Sequence, residues 1–81
     1  MSANVYARNL EDESIVICPG DVFYVICRGK KIGTYQHLGI FPNTADGVYM
    51  IDIDNESYVN VKLSWFNDKA IERLKRTAYE S

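Results

Sequence analysis

Two cysteines, one histidine and no apolar run longer than about six residues leave this sequence without most signatures that name a function outright. Cys18 and Cys27 fit no metal-ligand spacing, and two thiols are too few for a disulfide framework. They read as reduced thiols of an intracellular protein. The longest apolar runs fall far short of the roughly 20 residues that span a bilayer. The N-terminus is polar and lacks the basic-then-apolar pattern of a secretory leader. The expected location is therefore cytoplasmic, with no membrane contact. Asn55-Glu56-Ser57 matches a glycosylation sequon, but without secretion the match is chance. A basic excess is also missing: Lys and Arg total 9 against 11 acidic residues, for a net charge of −2. Nucleic-acid binders usually carry cations to displace phosphate counterions, so this balance argues against them. Internal repeats and low-complexity segments are absent too.

What remains is the composition of a small folded domain. The 81 residues allow a single domain, 1–81, and hydrophobic residues make up 47% against 25% charged. A chain of this size buries only about 60–65% of its unfolded surface, so its stability margin is thin. The charges are segregated. Acidic residues gather at Glu11-Asp12-Glu13 and from Asp46 to Glu56, basic ones at Arg28–Lys31 and Lys69–Arg76.

The pattern along the chain predicts about five strands and then one helix. Val5–Leu10 fits either a short edge strand or a helical turn. Ser14–Cys18 is β-branched and apolar, as strands are. Pro19-Gly20-Asp21 is a turn, because Pro presets φ, Gly accepts a positive φ, and Asp bonds to nearby backbone. Val22–Cys27 is apolar on both faces, which predicts a central strand. Arg28-Gly29-Lys30-Lys31 fits a tight hairpin loop, and Tyr35–Phe41 returns as the next strand. With Gly29-Lys30 as the loop, His37 lies opposite Val22 and Tyr35 opposite Tyr24. Pro42–Gly47 reads as a loop. Val48–Asp54 and Tyr58–Leu63 form a second hairpin if Ile53 pairs with Val59, Ile51 with Val61 and Tyr49 with Leu63. Phe66, Ala70, Ile71, Leu74 and Ala78 then make one apolar stripe at helical spacing. Ser64 or Asn67 would cap that helix, Asp68 would sit in its first turn, and Glu72 with Arg76 would form an i,i+4 pair. The expected fold is α+β: a small, bent antiparallel sheet or SH3-like open barrel closed by a C-terminal amphipathic helix.

Three groups of residues invite a functional reading. Asp52, Asp54 and Glu56 resemble the start of an EF-hand loop. Its sixth position needs Gly and its twelfth a bidentate Glu, but here they are Ser57 and Leu63, so a solvated hairpin tip is the better account. The basic turn at Arg28–Lys31 has aromatic neighbours, as in single-strand binders, yet charged turns are usually just solvated. His37 is either packed among aromatic neighbours or a general base. No cofactor is implied.

Pro19-Gly20-Asp21, an apolar strand and then His37-Leu38-Gly39-Ile40-Phe41 resemble the strand half of NlpC-type papain-like peptidases and of their lecithin:retinol acyltransferase relatives. Val48–Asp52 and Val59–Phe66 extend the likeness over residues 19–66. The resemblance implies that His37 matches the family's catalytic histidine and Asp52 its orienting polar residue. The nucleophile departs from the pattern. In that family a cysteine stands at a helix N-terminus, where the dipole lowers its pKa, whereas Cys18 and Cys27 fall in or beside strands. Such a chain would need its nucleophile supplied in trans.

The functional expectation is thus a non-catalytic module that binds another protein, an inhibitor or modulator of a basic-surfaced partner such as phages encode. A homodimer is compatible with it. A thiol hydrolase or acyltransferase built on His37 is the alternative. The expected contact face is the outward side of the second hairpin, presenting Met50, Asp52, Asp54, Tyr58, Asn60 and Lys62 with Glu56 at the tip. Aromatic residues and Met supply contact area, and charge selects the encounter.

Overall fold

The computed structural model describes residues 4–40 and 47–75. Its strands are β1 (Val5–Arg8), β2 (Ser14–Ile17), β3 (Val22–Cys27), β4 (Lys30–Ile40), β5 (Gly47–Asp52), β6 (Ser57–Lys62) and β7 (Ala70–Lys75). A single 3-10 segment, Leu63–Asp68, joins β6 to β7. All seven strands belong to one sheet, ordered β2-β1-β7-β3-β4-β5-β6. The sheet is mixed, because β1 meets β7 in parallel at Arg8 and Ala70 while every other neighbour is antiparallel. The expected five-stranded antiparallel sheet or SH3-like barrel under a helix is therefore corrected to a mostly β fold. β3 is the fourth strand of the seven, as its two apolar faces predict.

The C-terminal helix is the largest correction. Ala70–Lys75, which carries part of the supposed stripe, is strand β7 and pairs antiparallel with β3 from Val22–Lys75 to Ile26–Ala70. A short isolated helix is marginal in water. A central strand with one flank unpaired would strand buried N–H and C=O groups at about 1–3 kcal/mol each. The ladder wins over the helical stripe. In the strand, Ile71 points into the core at 0% exposure and Leu74 points out at 46%. Neither Ser64 nor Asn67 caps a helix, and the 3-10 segment has no side-chain cap. Asp68 closes that segment instead of opening a helix. Arg76 and Ala78 lie outside the described residues.

Both hairpins pair in a register other than the expected one. Arg28 and Gly29, at φ +53° and +80°, form the β3–β4 turn, as a two-residue turn matched to strand twist requires. An irregularity at Val25–Ile26 then shifts the ladder, so Phe23 faces Tyr35 and Val22 faces Gln36. His37 consequently sits against Asp21: its N–H donates to the Asp21 carbonyl at 3.1 Å, and its carbonyl accepts from Gly20 N–H at 2.7 Å. A one-residue slip carries His37 onto the face of Phe23 and Val25.

In the second hairpin Ile51 pairs with Tyr58, three residues before the expected Val61, and Met50 pairs with Val59. An odd shift exchanges the faces of β5. Val48 and Met50 lie inside at 0% exposure, and Asp52 points inward with them. The turn decides this. Asp52 accepts from Asn55 N–H at 3.3 Å and from Asn55 Nδ2 at 2.8 Å, and Glu56 takes φ +52°. That geometry fixes a loop of Ile53–Glu56 and leaves Ile53 at the tip, 40% exposed, where it cannot pair with Val59.

The core contains Val5, Ala7, Ile17, Phe23, Val25, Val48, Met50, Phe66 and Ile71. Phe66 comes from the 3-10 segment, which touches both β1 and β6. The segment thus crosses the inner side of the sheet on its way from the β6 edge to the β7 position. Among the described residues no helix is long and apolar enough to cross a membrane.

Candidate functional site

The residues singled out by sequence fall into two places, one internal and one at the sheet edge. The internal group centres on the turn Cys18–Asp21. Asp21 N–H donates to Cys18 O at 3.0 Å, and Gly20 at φ +97° supplies the conformation that a type II turn needs after Pro. The Asp21 carboxylate folds back to accept from Cys18 N–H at 2.8 Å. Arg73 of β7 lies 3.9 Å from the same oxygen, and its guanidinium donates to Val16 O at 2.6 Å. Gln36 Nε2 donates to Gly20 O at 3.0 Å, which ties β4 to the turn.

His37 is fully buried beside this turn and faces Met50 across the strands. Gly39 N–H donates to its Nδ1 at 3.1 Å, leaving the ring's own proton on Nε2. A general base needs a free lone pair, but the acceptor nitrogen of this ring, Nδ1, already takes the Gly39 N–H. Asp52, the residue the papain-like resemblance assigns to orienting the histidine, faces Tyr35, and its two oxygens take the backbone and side-chain N–H groups of Asn55. His37 and Asp52 are thus built into separate structural interactions. Cys18 and Cys27 are half-buried thiols, not bridged to one another, at the end of β2 and in β3. Cys27 is therefore less buried than a place on the Phe23–Val25 face would make it, because the irregularity at Val25–Ile26 interrupts the alternation. Among the described residues no three His, Cys, Asp or Glu side chains converge as a metal site.

The second place is the β5–β6 hairpin. β6 is the last strand of the sheet, so one of its backbone edges has no neighbouring strand among the described residues. Tyr58, 64% exposed, stacks on Tyr49 with ring centroids 5.6 Å apart and planes 14° from parallel. Ile51 is half-buried on the same outer face and pairs with Tyr58. Asp54 and Glu56 are exposed at the tip, and Lys62 is exposed at the far end of β6. Burial raises the Tyr35 hydroxyl above its ordinary value, and the nearby negative charges of Asp52 and Asp54 push it further. The negative charge therefore lies at the turn end of this hairpin.

Of the seven proposed contact residues, five (Asp54, Glu56, Tyr58, Asn60 and Lys62) are exposed on this hairpin. Met50 is in the core, and the Asp52 carboxylate is committed to its turn, so the expected outward face is corrected at both. Sequence reasoning missed Tyr49 and Ile51, assigned to the inner face by the wrong register. The signal was present: an Asp three residues before an Asn is a turn-forming pair, and here it sets the parity of the whole hairpin.

In comparisons with known proteins, no family model matches this chain, and no curated protein or solved structure matches it significantly.

Proposed function

We propose that this chain is a non-catalytic protein-binding module that contacts a basic-surfaced partner through the β5–β6 hairpin and so inhibits or modulates it. The observation that carries the reading is the ordered Tyr49–Tyr58 stack on the edge hairpin, next to Asp54 and Glu56, which have no ion-pair partner among the described residues. A stacked tyrosine pair offers contact area with little rotamer freedom left to lose. Two carboxylates at the tip speed and select encounter with a cationic surface. The burial of His37, with Nδ1 already accepting a bond, supports a binding role over a general-base role. The half-buried, unbridged cysteines agree with a cytoplasmic setting.

The test pairs Asp54→Lys with Glu56→Lys in a tagged protein whose fold is verified by circular dichroism. The partner captured by wild type from the native host is identified by mass spectrometry, purified and rebound at several salt concentrations. The double variant should bind at least about tenfold more weakly and lose most of the salt dependence. Undiminished binding would remove the hairpin from the interface.

A further inference from the structure

Among the described residues, β7 is paired along its length on one side only. Its β3 flank is laddered from Ala70 to Lys75, whereas on the other flank β1 meets it at Ala70 alone. Beyond that contact a groove of about 250 Å³ opens between Ile71–Arg73 on one wall and Asn9–Glu11 with Ile15 on the other. Its accessible apolar lining is Leu10, 58% exposed despite its size, and the half-buried Ile15, with Ile71 buried beneath.

The groove is preformed. Asn9 Oδ1 accepts from Glu11 N–H at 3.0 Å and from Glu13 N–H at 2.9 Å, and its Nδ2 donates to Glu13 Oε1 at 3.1 Å, so one side chain fixes the loop that carries Leu10. Arg73 spans from β7 to the Val16 carbonyl of β2 and is occupied there. Glu11 and Glu72 also line the groove, and neither has an ion-pair partner among the described residues. The charge on offer is therefore negative, set around an apolar floor and beside a strand edge that lacks a ladder.

We infer that this groove takes a short extended peptide segment of a partner protein, in which an aliphatic side chain stands next to Lys or Arg. The segment adds alongside β7, as extended peptides add to exposed sheet edges, and main-chain bonds give affinity while the pocket gives selectivity. Its aliphatic side chain packs on Leu10 and Ile15. Its flanking cation meets Glu11 and Glu72. This surface is separate from the β5–β6 hairpin, and the inference does not depend on that reading.

The probe is the blocked peptide Lys-Leu-Lys-Leu-Lys, titrated into the isotope-labelled full chain and followed by amide chemical shifts, with Glu-Leu-Glu-Leu-Glu as the control. Saturable shifts should be confined to Asn9–Glu11, Ile15 and Ile71–Arg73, with slowed exchange of alternate β7 amides. Glu72→Lys should weaken binding about three- to tenfold, the scale of exposed charge pairs made repulsive. Leu10→Ser, at an exposed loop position, should weaken it comparably and guards against misfolding of the first variant. Asp54→Lys with Glu56→Lys should leave the peptide titration unchanged, which separates this site from the hairpin. No saturable shift, equal binding of the acidic peptide, shifts centred on β6, or insensitivity to both groove variants would each overturn the inference. So would contacts in the free protein, seen by nuclear Overhauser effects, between Leu10 or Ile15 and the chain's own residues 76–81.

Discussion

The turns at Cys18–Asp21 and at Ile53–Glu56 rest on the same chemistry and serve opposite ends. Each is locked by an aspartate that accepts a backbone N–H, Asp21 from Cys18 and Asp52 from Asn55. The first turn feeds the central strand, is crossed by Arg73 and ties to Gln36, so its polar groups are satisfied inside the protein. The second lies at the sheet edge and holds Asp54 and Glu56 out in water. Among the described residues no buried side-chain nitrogen or oxygen lacks a hydrogen-bond partner. Buried polarity here anchors the sheet, and the exposed carboxylates of the second turn are left outside that framework.

The sharpest way to break that division is in the strand that completes the anchored side. Ile71→Ala should cost about 2–5 kcal/mol in urea unfolding, the range for emptying a packed core site. Leu74→Ala, on the outward face of the same strand, should cost less than about 1 kcal/mol. Equal and large losses at both positions would restore a docked helix. Asp21→Ala comes next, at about 2–4 kcal/mol, because it removes the acceptor for Cys18 N–H and the partner of Arg73. A loss below about 0.5 kcal/mol at Asp21 would mean that the turn is not an anchor.

At the edge the ranking reverses between stability and binding. Tyr58→Ala should cost only about 0.5–1 kcal/mol of stability, the value of an exposed cross-strand aromatic pair. It should nonetheless weaken partner binding more than any other single change in the hairpin, as read by titration calorimetry. The smallest expected effect is a pH dependence. Because the folded-state pKa of Tyr35 is raised, its stabilisation is complete below the ordinary tyrosine pKa and is lost as pH climbs through the higher folded value. Tyr35→Phe should therefore flatten the decline of unfolding free energy above about pH 10. An unchanged alkaline slope would place the titrating group elsewhere.

Much of the anchored side was legible in the sequence. The two apolar faces of Val22–Cys27 marked the central strand, and Pro19-Gly20-Asp21 marked its entry turn, because both signals are local. Val59 and Val61 face inward as their alternation implied. The edge was read less well. On β5, Tyr49-Ile51-Ile53 and Val48-Met50 are both apolar sets, so alternation could not choose between them, and the Asp52–Asn55 turn made the choice. The helix was misread for a different reason. Phe66, Ala70, Ile71 and Leu74 satisfy a helical period, whereas the demand that overrode it came from the unpaired flank of β3, more than forty residues away in sequence.

That remote pairing has a consequence for how the protein is made. During synthesis β3 emerges early, but the strand that covers its second flank follows only when Lys75 has left the ribosome, 48 residues after Cys27. At roughly 5–20 residues per second the delay is about 2–10 s. Pairing across so wide a sequence gap is also among the slower folding events, in the millisecond-to-second range. Throughout that interval the most apolar strand of the chain presents an open edge, the feature that most readily recruits another chain. A nascent polypeptide stalled at Lys69 would keep that edge indefinitely, and it should be captured by chaperones or aggregate where the completed chain does not.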